Sequence, residues 1–71
     1  MSGWVLLPWD LIILKKESIE RAEVFRDEKG YGIHLMTFLD YTEVKREWRF
    51  KSKKMAQKMF LEFHKRLNTN Q

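Results

Sequence analysis

The sequence predicts an α+β fold: an antiparallel β-meander of three to five strands with one C-terminal α-helix packed on one face. Three observations predict it. The C-terminal end carries apolar residues at helical spacing, the segments before it have the composition or alternation of strands, and turn residues separate them. We expect one domain over residues 1–71, because a chain this short cannot bury two cores.

The N-terminal segment, residues 1–18, is expected to hold one or two strands. The stretch from Trp4 to Leu14 contains two apolar pieces separated by Pro8 and Asp10. Because Pro8 has no backbone donor for a ladder, we expect a turn or a sheet edge there. Residues 15–18 are predicted to be a polar connection.

The predicted meander occupies residues 19–50. Its first strand, 19–26, alternates poorly, so either both faces are covered or a β-bulge interrupts it. Gly30 can adopt a positive φ and is expected to close a three- or four-residue loop before the next strand, 31–38.

The last predicted strand, Glu43 to Phe50, alternates in polarity and is broken only by Arg46. A short turn centred on Asp40 precedes it, and pairing Phe38 with Glu43 sets the register. This register places opposite each other Tyr31 and Phe50, Ile33 and Trp48, Leu35 and Arg46, and Thr37 and Val44. It also sets His34 across from Glu47, where we expect a structural pair.

A helix is predicted in residues 52–67, with Ser52 as its N-cap, Asn68 at its end and a frayed tail over 68–71. At 100° per residue, its apolar face consists of Ala56, Met59, Phe60, Phe63 and Leu67. Lys54, Lys58 and Lys65 fall on the opposite face, with Leu61 between them. We expect the apolar face to pack on the sheet and the lysines to be displayed outward.

Composition excludes several classes of site. The chain has no Cys, so disulfides, cysteine zinc sites and thiol nucleophiles are excluded, and a cytoplasmic setting is expected. No apolar run approaches the roughly 20 residues of a membrane span, and His34 and His64 have no partner at metal-ligand spacing. Neither a metal, a cofactor nor a membrane association is expected.

No motif for catalysis is present either. The chain contains no Walker A loop, GxGxxG or nucleophile elbow, and the isolated pair Gly30 and Gly32 fits hairpin geometry. We therefore expect a non-enzymatic protein with no evident small-molecule substrate.

The charge distribution favours a polyanionic partner, most plainly nucleic acid. Residues 43–66 contain nine Lys or Arg against three acids, whereas the first 42 residues contain five against seven. Clustered cations neutralise phosphates and release counterions. The predicted nucleic-acid-binding residues are Lys45, Arg49, Lys51, Lys54, Lys58 and Lys65, with His34 and Phe38 as groups that could contact bases.

The alternative is a homo-oligomeric protein–protein interaction module, an adaptor or inhibitor whose basic face serves solubility only. A one-helix sheet leaves a face and edges uncovered, and small domains without disulfides are commonly stabilised by self-association. An acidic protein could also dock on the helix lysines. The sequence leaves these alternatives open.

Overall fold

The computed structural model describes residues 3–68, and within them it contains five strands and one α-helix. The strands are β1 (Trp4–Leu6), β2 (Ile13–Lys15), β3 (Ile19–Asp27), β4 (Gly30–Leu39) and β5 (Thr42–Phe50), and the helix is α1 (Lys53–Leu67). A short 3₁₀ turn, Lys16–Ser18, joins β2 to β3.

The α+β prediction is confirmed. Strands β3, β4 and β5 form an antiparallel meander in that order, and α1 contacts it. The two N-terminal strands do not extend the meander, because β1 and β2 pair with each other as a separate antiparallel hairpin. The expected turn at Pro8 lies between them.

The predicted β4–β5 register is confirmed at every pair, from Tyr31 opposite Phe50 to Phe38 opposite Glu43. The turn between the strands consists of Asp40 and Tyr41, whose φ values are 51° and 63°. Two consecutive positive φ values are characteristic of a type I′ turn, whose twist matches that of paired strands. Asp40 tolerates this conformation better than most residues.

The β3–β4 connection is shorter than predicted. Asp27 pairs directly with Gly30, so the loop has only two residues rather than three or four. Gly30 has a φ of 125°, as expected of the residue that closes the turn, and an Asp27 carboxylate oxygen accepts a hydrogen bond from the Lys29 amide at 2.9 Å. The short side chain of Asp27 thus stabilises a tighter turn than spacing alone indicates.

A β-bulge explains the poor alternation of β3. Ile19 pairs with Thr37 and Arg21 with Met36, so two steps along β3 correspond to one step along β4. Glu20 is the extra residue. Of the two alternatives that the sequence leaves open for β3, the structure contains the bulge.

The core lies on one side of the sheet, which we call the inner face and define by Ile33, Leu35 and Thr37 of β4. All three side chains are buried. Leu35 belongs to a buried cluster with Val5 and Leu7 from the N-terminal segment and Phe63 from α1. Both the hairpin and the helix therefore pack on the inner face.

Helix α1 has the orientation that its amphipathic pattern predicts. Ala56 and Phe63 are fully buried, and Met59, Phe60 and Leu67 on the same face are half-buried. Ser52 caps the helix, its side chain accepting a hydrogen bond from the Met55 amide at 3.2 Å. Asn68 follows the last helical residue, as predicted.

Ring contacts and two long-range hydrogen bonds join the N-terminal segment to the rest of the fold. The ring of Trp9 meets those of Trp48 and Phe63 edge-on, at centroid distances of 5.5 and 5.3 Å. Trp48 Nε1 donates to Asp10 Oδ2 at 2.9 Å, and an Arg66 guanidinium nitrogen donates to the carbonyl oxygen of Leu6 at 2.7 Å. These contacts hold the hairpin against both the sheet and the helix.

Two sequence predictions concern the limits of the chain and the membrane. The predicted frayed tail falls largely on residues 69–71, which lie outside the described residues. Within residues 3–68, the only long helix is too short and too polar to cross a bilayer.

Candidate nucleic-acid interface

The first candidate surface is the outward side of α1, which we call the lysine stripe and define by Lys54, Lys58 and Lys65. All three residues are exposed. They lie opposite the buried Ala56 and Phe63 on the helical wheel, so the stripe points away from the sheet. The stripe extends about 16 Å along the axis, at 1.5 Å per residue.

The stripe has a shallow depression along it rather than a flat surface. The depression is lined only by residues of α1: Lys54, Gln57, Lys58, Leu61, Glu62, His64 and Lys65. Leu61 is 62% exposed at its centre. Gln57 and His64 were not among the predicted site residues, although the same wheel places them beside the stripe.

The ammonium groups of Lys54 and Lys58 form no ion pair with any carboxylate in residues 3–68. The nearest acid along the helix, Glu62, instead accepts from Arg66 at 3.3 Å in an i,i+4 pair. Two lysines at i,i+4 repel each other by a few tenths of a kcal/mol. An anion bound between Lys54 and Lys58 would relieve that repulsion.

Four of the five other predicted residues, all but Lys51, lie on the opposite side of the sheet, which we call the outer face and define by His34, Met36 and Phe38 of β4. Lys45 pairs with Met36, and Arg49 pairs with Gly32, so both β5 residues share this face. Phe38 is 44% exposed. Lys51 is exposed immediately after β5 ends.

Arg49 is held by carboxylates on the outer face. Its guanidinium donates to both carboxylate oxygens of Asp27, at 2.7 and 2.5 Å, and to Glu47 at 3.1 Å. The hydrogen bonds from Arg49 lower the pKa of Asp27 to about 2, and the same contact raises the pKa of Arg49. Bidentate charge-assisted hydrogen bonds are stronger than neutral ones. The Arg49 guanidinium is therefore occupied by contacts within the protein.

His34 is also engaged. Its ring stacks on Phe25, with the centroids 3.9 Å apart and the planes 13° from parallel. Its Nε2 lies 3.2 Å from Glu47 Oε1, which is the cross-strand pair that the register predicts. The Arg49 guanidinium lies over the same Phe25 ring, 5.1 Å from its centroid. His34 therefore presents less open ring surface than the sequence suggests.

The outer face carries more acids than the charge count along the chain indicates. Its carboxylates are Glu20, Glu23, Asp27, Glu43 and Glu47. Glu20, at the bulge, shares a hydrogen bond with Glu43, and this raises the pKa of Glu20. A proton or a cation, rather than a phosphate, would relieve the repulsion between these two carboxyl groups.

The structure thus divides the predicted site into two surfaces. The sheet and the helix stand between the lysine stripe and the outer face, and a helix alone is about 10–12 Å across. Lys54, Lys58 and Lys65 come together on one side, whereas His34, Phe38, Lys45 and Arg49 come together on the other.

Comparison of the chain with protein-family models, with curated proteins and with solved structures finds no match. Within residues 3–68, no three His, Asp or Glu side chains are grouped so that they could hold a metal ion.

Proposed function

We propose that this protein is a non-enzymatic binding protein that engages nucleic acid, or another polyanion of similar charge density, through the lysine stripe. The observation that carries the proposal is the exposed position of Lys54 and Lys58 on the outward side of α1, with no carboxylate partner in residues 3–68. No catalytic residue is assigned.

The charge density of the stripe suits a phosphate backbone. Duplex DNA carries one negative charge per about 1.7 Å of helix axis, so the roughly 16 Å of the stripe spans several phosphates. Contacts from lysine ammonium groups to phosphates carry no sequence information directly. The proposal is therefore for binding with little sequence preference.

The outer face is the less suitable of the two surfaces. Arg49 is bound to Asp27 and Glu47, and the neighbouring acids would repel a phosphate chain. We accordingly place Lys45, Lys51, His34 and Phe38 outside the proposed contact surface. The experiment below tests this division directly.

The test is a pair of double charge reversals, measured by fluorescence anisotropy with a labelled DNA or RNA 20-mer at 50 mM salt. Lys54→Glu with Lys58→Glu reverses two of the three charges of the lysine stripe, and we expect the affinity to fall by at least about tenfold. Lys29→Glu with Lys45→Glu makes the same change in formal charge away from α1, in the β3–β4 turn and on the outer face, and we expect it to keep most of the affinity. Both variants are checked for an unchanged thermal midpoint.

Two results would contradict the proposal. One is an equal loss in the two variants, which would mean that only net charge matters. The other is the absence of wild-type binding at low salt. The stripe reversal is not expected to lower stability, because α1 has no acid in its first turn and a glutamate at position 54 suits the helix dipole.

A second candidate function is a homo-oligomeric interaction module, favoured by a row of exposed apolar side chains on the β1–β2 hairpin. Trp4, Leu6 and Ile13 are 56%, 43% and 61% exposed there. Contiguous exposed apolar side chains of this size commonly mark protein interfaces. Sedimentation of the wild type and of Leu6→Lys distinguishes the two: a dimer that dissociates in the variant supports the module.

A further inference from the structure

A small cavity of about 200 Å³ opens between the β1–β2 hairpin and the turn end of the β4–β5 pair. Most of its wall is apolar. The apolar lining residues are Trp4, Ile13, Leu14, Leu39 and Val44. Three of them, Trp4, Ile13 and Leu39, are more than half exposed. Binding of an apolar group in the cavity would remove part of this apolar surface from water.

Arg46 lines the same cavity and is the residue that breaks the alternation of β5. It pairs with Leu35, which is completely buried, so Arg46 extends from the inner face of the sheet, where the pattern otherwise places apolar side chains. It forms no ion pair with any carboxylate in residues 3–68. Its side chain is exposed, so the guanidinium is accessible to a ligand that enters the cavity from solvent.

The other polar groups of the lining add to the positive character of the cavity. Lys15 also lines the cavity, with its ammonium 5.6 Å from the ring centroid of Trp4. The Thr37 side chain is buried, and its hydroxyl has only a long bond of 3.4 Å to the Val44 carbonyl. No lining residue is an Asp or a Glu, so the cavity combines apolar walls with two cations and no acid.

We propose that this cavity binds a small amphipathic carboxylate, with its apolar part between the hairpin and the sheet and its carboxylate against Arg46. The volume exceeds the roughly 150 Å³ of apolar cavities that take up benzene, so it suits one ring or a short aliphatic chain. The planar guanidinium of Arg46 presents donors in the geometry that pairs with a carboxylate. This site is separate from the lysine stripe and does not depend on it.

The probe is 3-phenylpropionate, titrated into ¹⁵N-labelled protein and compared with the uncharged 3-phenylpropionamide. We expect the carboxylate to bind about tenfold more tightly, since charge-assisted hydrogen bonds are roughly twice as strong as neutral ones. The amide resonances that move should belong to Leu14, Thr37 and Val44. Arg46→Met keeps the aliphatic stem and should bring the two affinities together.

The matched control is Lys58→Met, which removes a cation from α1 and should leave the carboxylate preference intact. Equal binding of the two compounds, shifts confined to α1, or no shifts with either compound would overturn the proposal. If Arg46→Met does not fold, the comparison of the two compounds on the wild-type protein decides by itself.

Discussion

At the residue scale, the absence of a side chain at Gly32 determines how the neighbouring side chains pack on the outer face. Gly32 pairs with Phe25 on one side and Arg49 on the other. Because Gly32 has no side chain, the Phe25 ring lies over its backbone and the Arg49 guanidinium reaches past it to Asp27. The pairing of His34 with Glu47 follows from adjacent-strand register and is predictable. The Arg49–Asp27 contact crosses a whole strand, and register alone does not reveal it.

Substitution of Gly32 by Ala tests this arrangement. An added Cβ would lie 2.5 Å from Phe25 Cζ and against the backbone carbonyl of Trp48, so strand or ring must shift. We expect the free energy of unfolding to fall by about 1–3 kcal/mol because of overpacking. This exceeds the roughly 0.5–1 kcal/mol by which replacing a strand glycine raises it. The measurement is urea unfolding. Gly3→Ala is the control, because no atom of residues 3–68 outside its chain neighbours lies within 4 Å of the added Cβ. Equal unfolding midpoints for the two variants would refute the packing.

The Asp27–Arg49 pair predicts a pH dependence of stability. The pKa of Asp27 in the fold is about 2, below its ordinary value of 3.8, so the ionised form is favoured by folding. Its stabilising contribution is therefore complete above pH 3.8 and is lost as the pH falls through about 2.

The measurement is the difference in thermal midpoint between the wild type and Asp27→Asn across that range. We expect the wild type to be the more stable above pH 3.8 and the difference to vanish in stronger acid. Glu28→Gln is the control, because Glu28 lies in the same turn and forms no ion pair within residues 3–68. The change in its thermal midpoint with pH is subtracted from that of Asp27→Asn. A difference that persists or grows as the pH falls would contradict the assignment.

At the element scale, the parts that the sequence predicts well carry local signals. Ser52 and the apolar spacing from Ala56 to Leu67 define α1, and the alternation of β5 defines both the strand and its register. In these elements the hydrophobic pattern, the turn residues and the cap all favour the same structure. The β3–β4 turn differs from its prediction because the Asp27 side chain bonds to the Lys29 amide and tightens it.

The N-terminal hairpin could not be predicted in the same way. Each of its strands has only three residues, which is too short for a period to be distinguished. Its position depends on contacts distant in sequence, among them the Trp48 bond to Asp10 and the Arg66 bond to Leu6. Whether it would join the meander or pack separately was decided by those contacts.

At the scale of the whole molecule, the topology separates residues that are close in sequence. Arg49 and Lys54 lie five positions apart, yet Arg49 lies on the outer face and α1 packs on the inner face. Counting charges along residues 43–66 predicts one basic surface because a count carries no information about sides. The wheel of α1 predicts the stripe correctly, but only the packing shows that the outer face, with Asp27 and Glu47, is a different surface.

The proposed nucleic-acid binding and the proposed carboxylate binding depend on different residues. The stripe needs no apolar pocket, and the cavity beside Arg46 needs no lysine of α1. Loss of one activity with retention of the other is therefore expected for variants in either site. The sequence shows Arg46 as a break in the alternation of β5. That Arg46 lines a cavity follows only from the position of the β1–β2 hairpin.

The most direct test of the central claim is the salt dependence of oligonucleotide affinity for the wild-type protein. Three lysines contacting phosphates predict a slope in log affinity against log salt of about −2.1 for a single strand and about −2.7 for a duplex. The affinity should therefore fall by about 20- to 40-fold between 50 and 200 mM salt. A slope near zero, or no binding at 50 mM salt, would contradict the account.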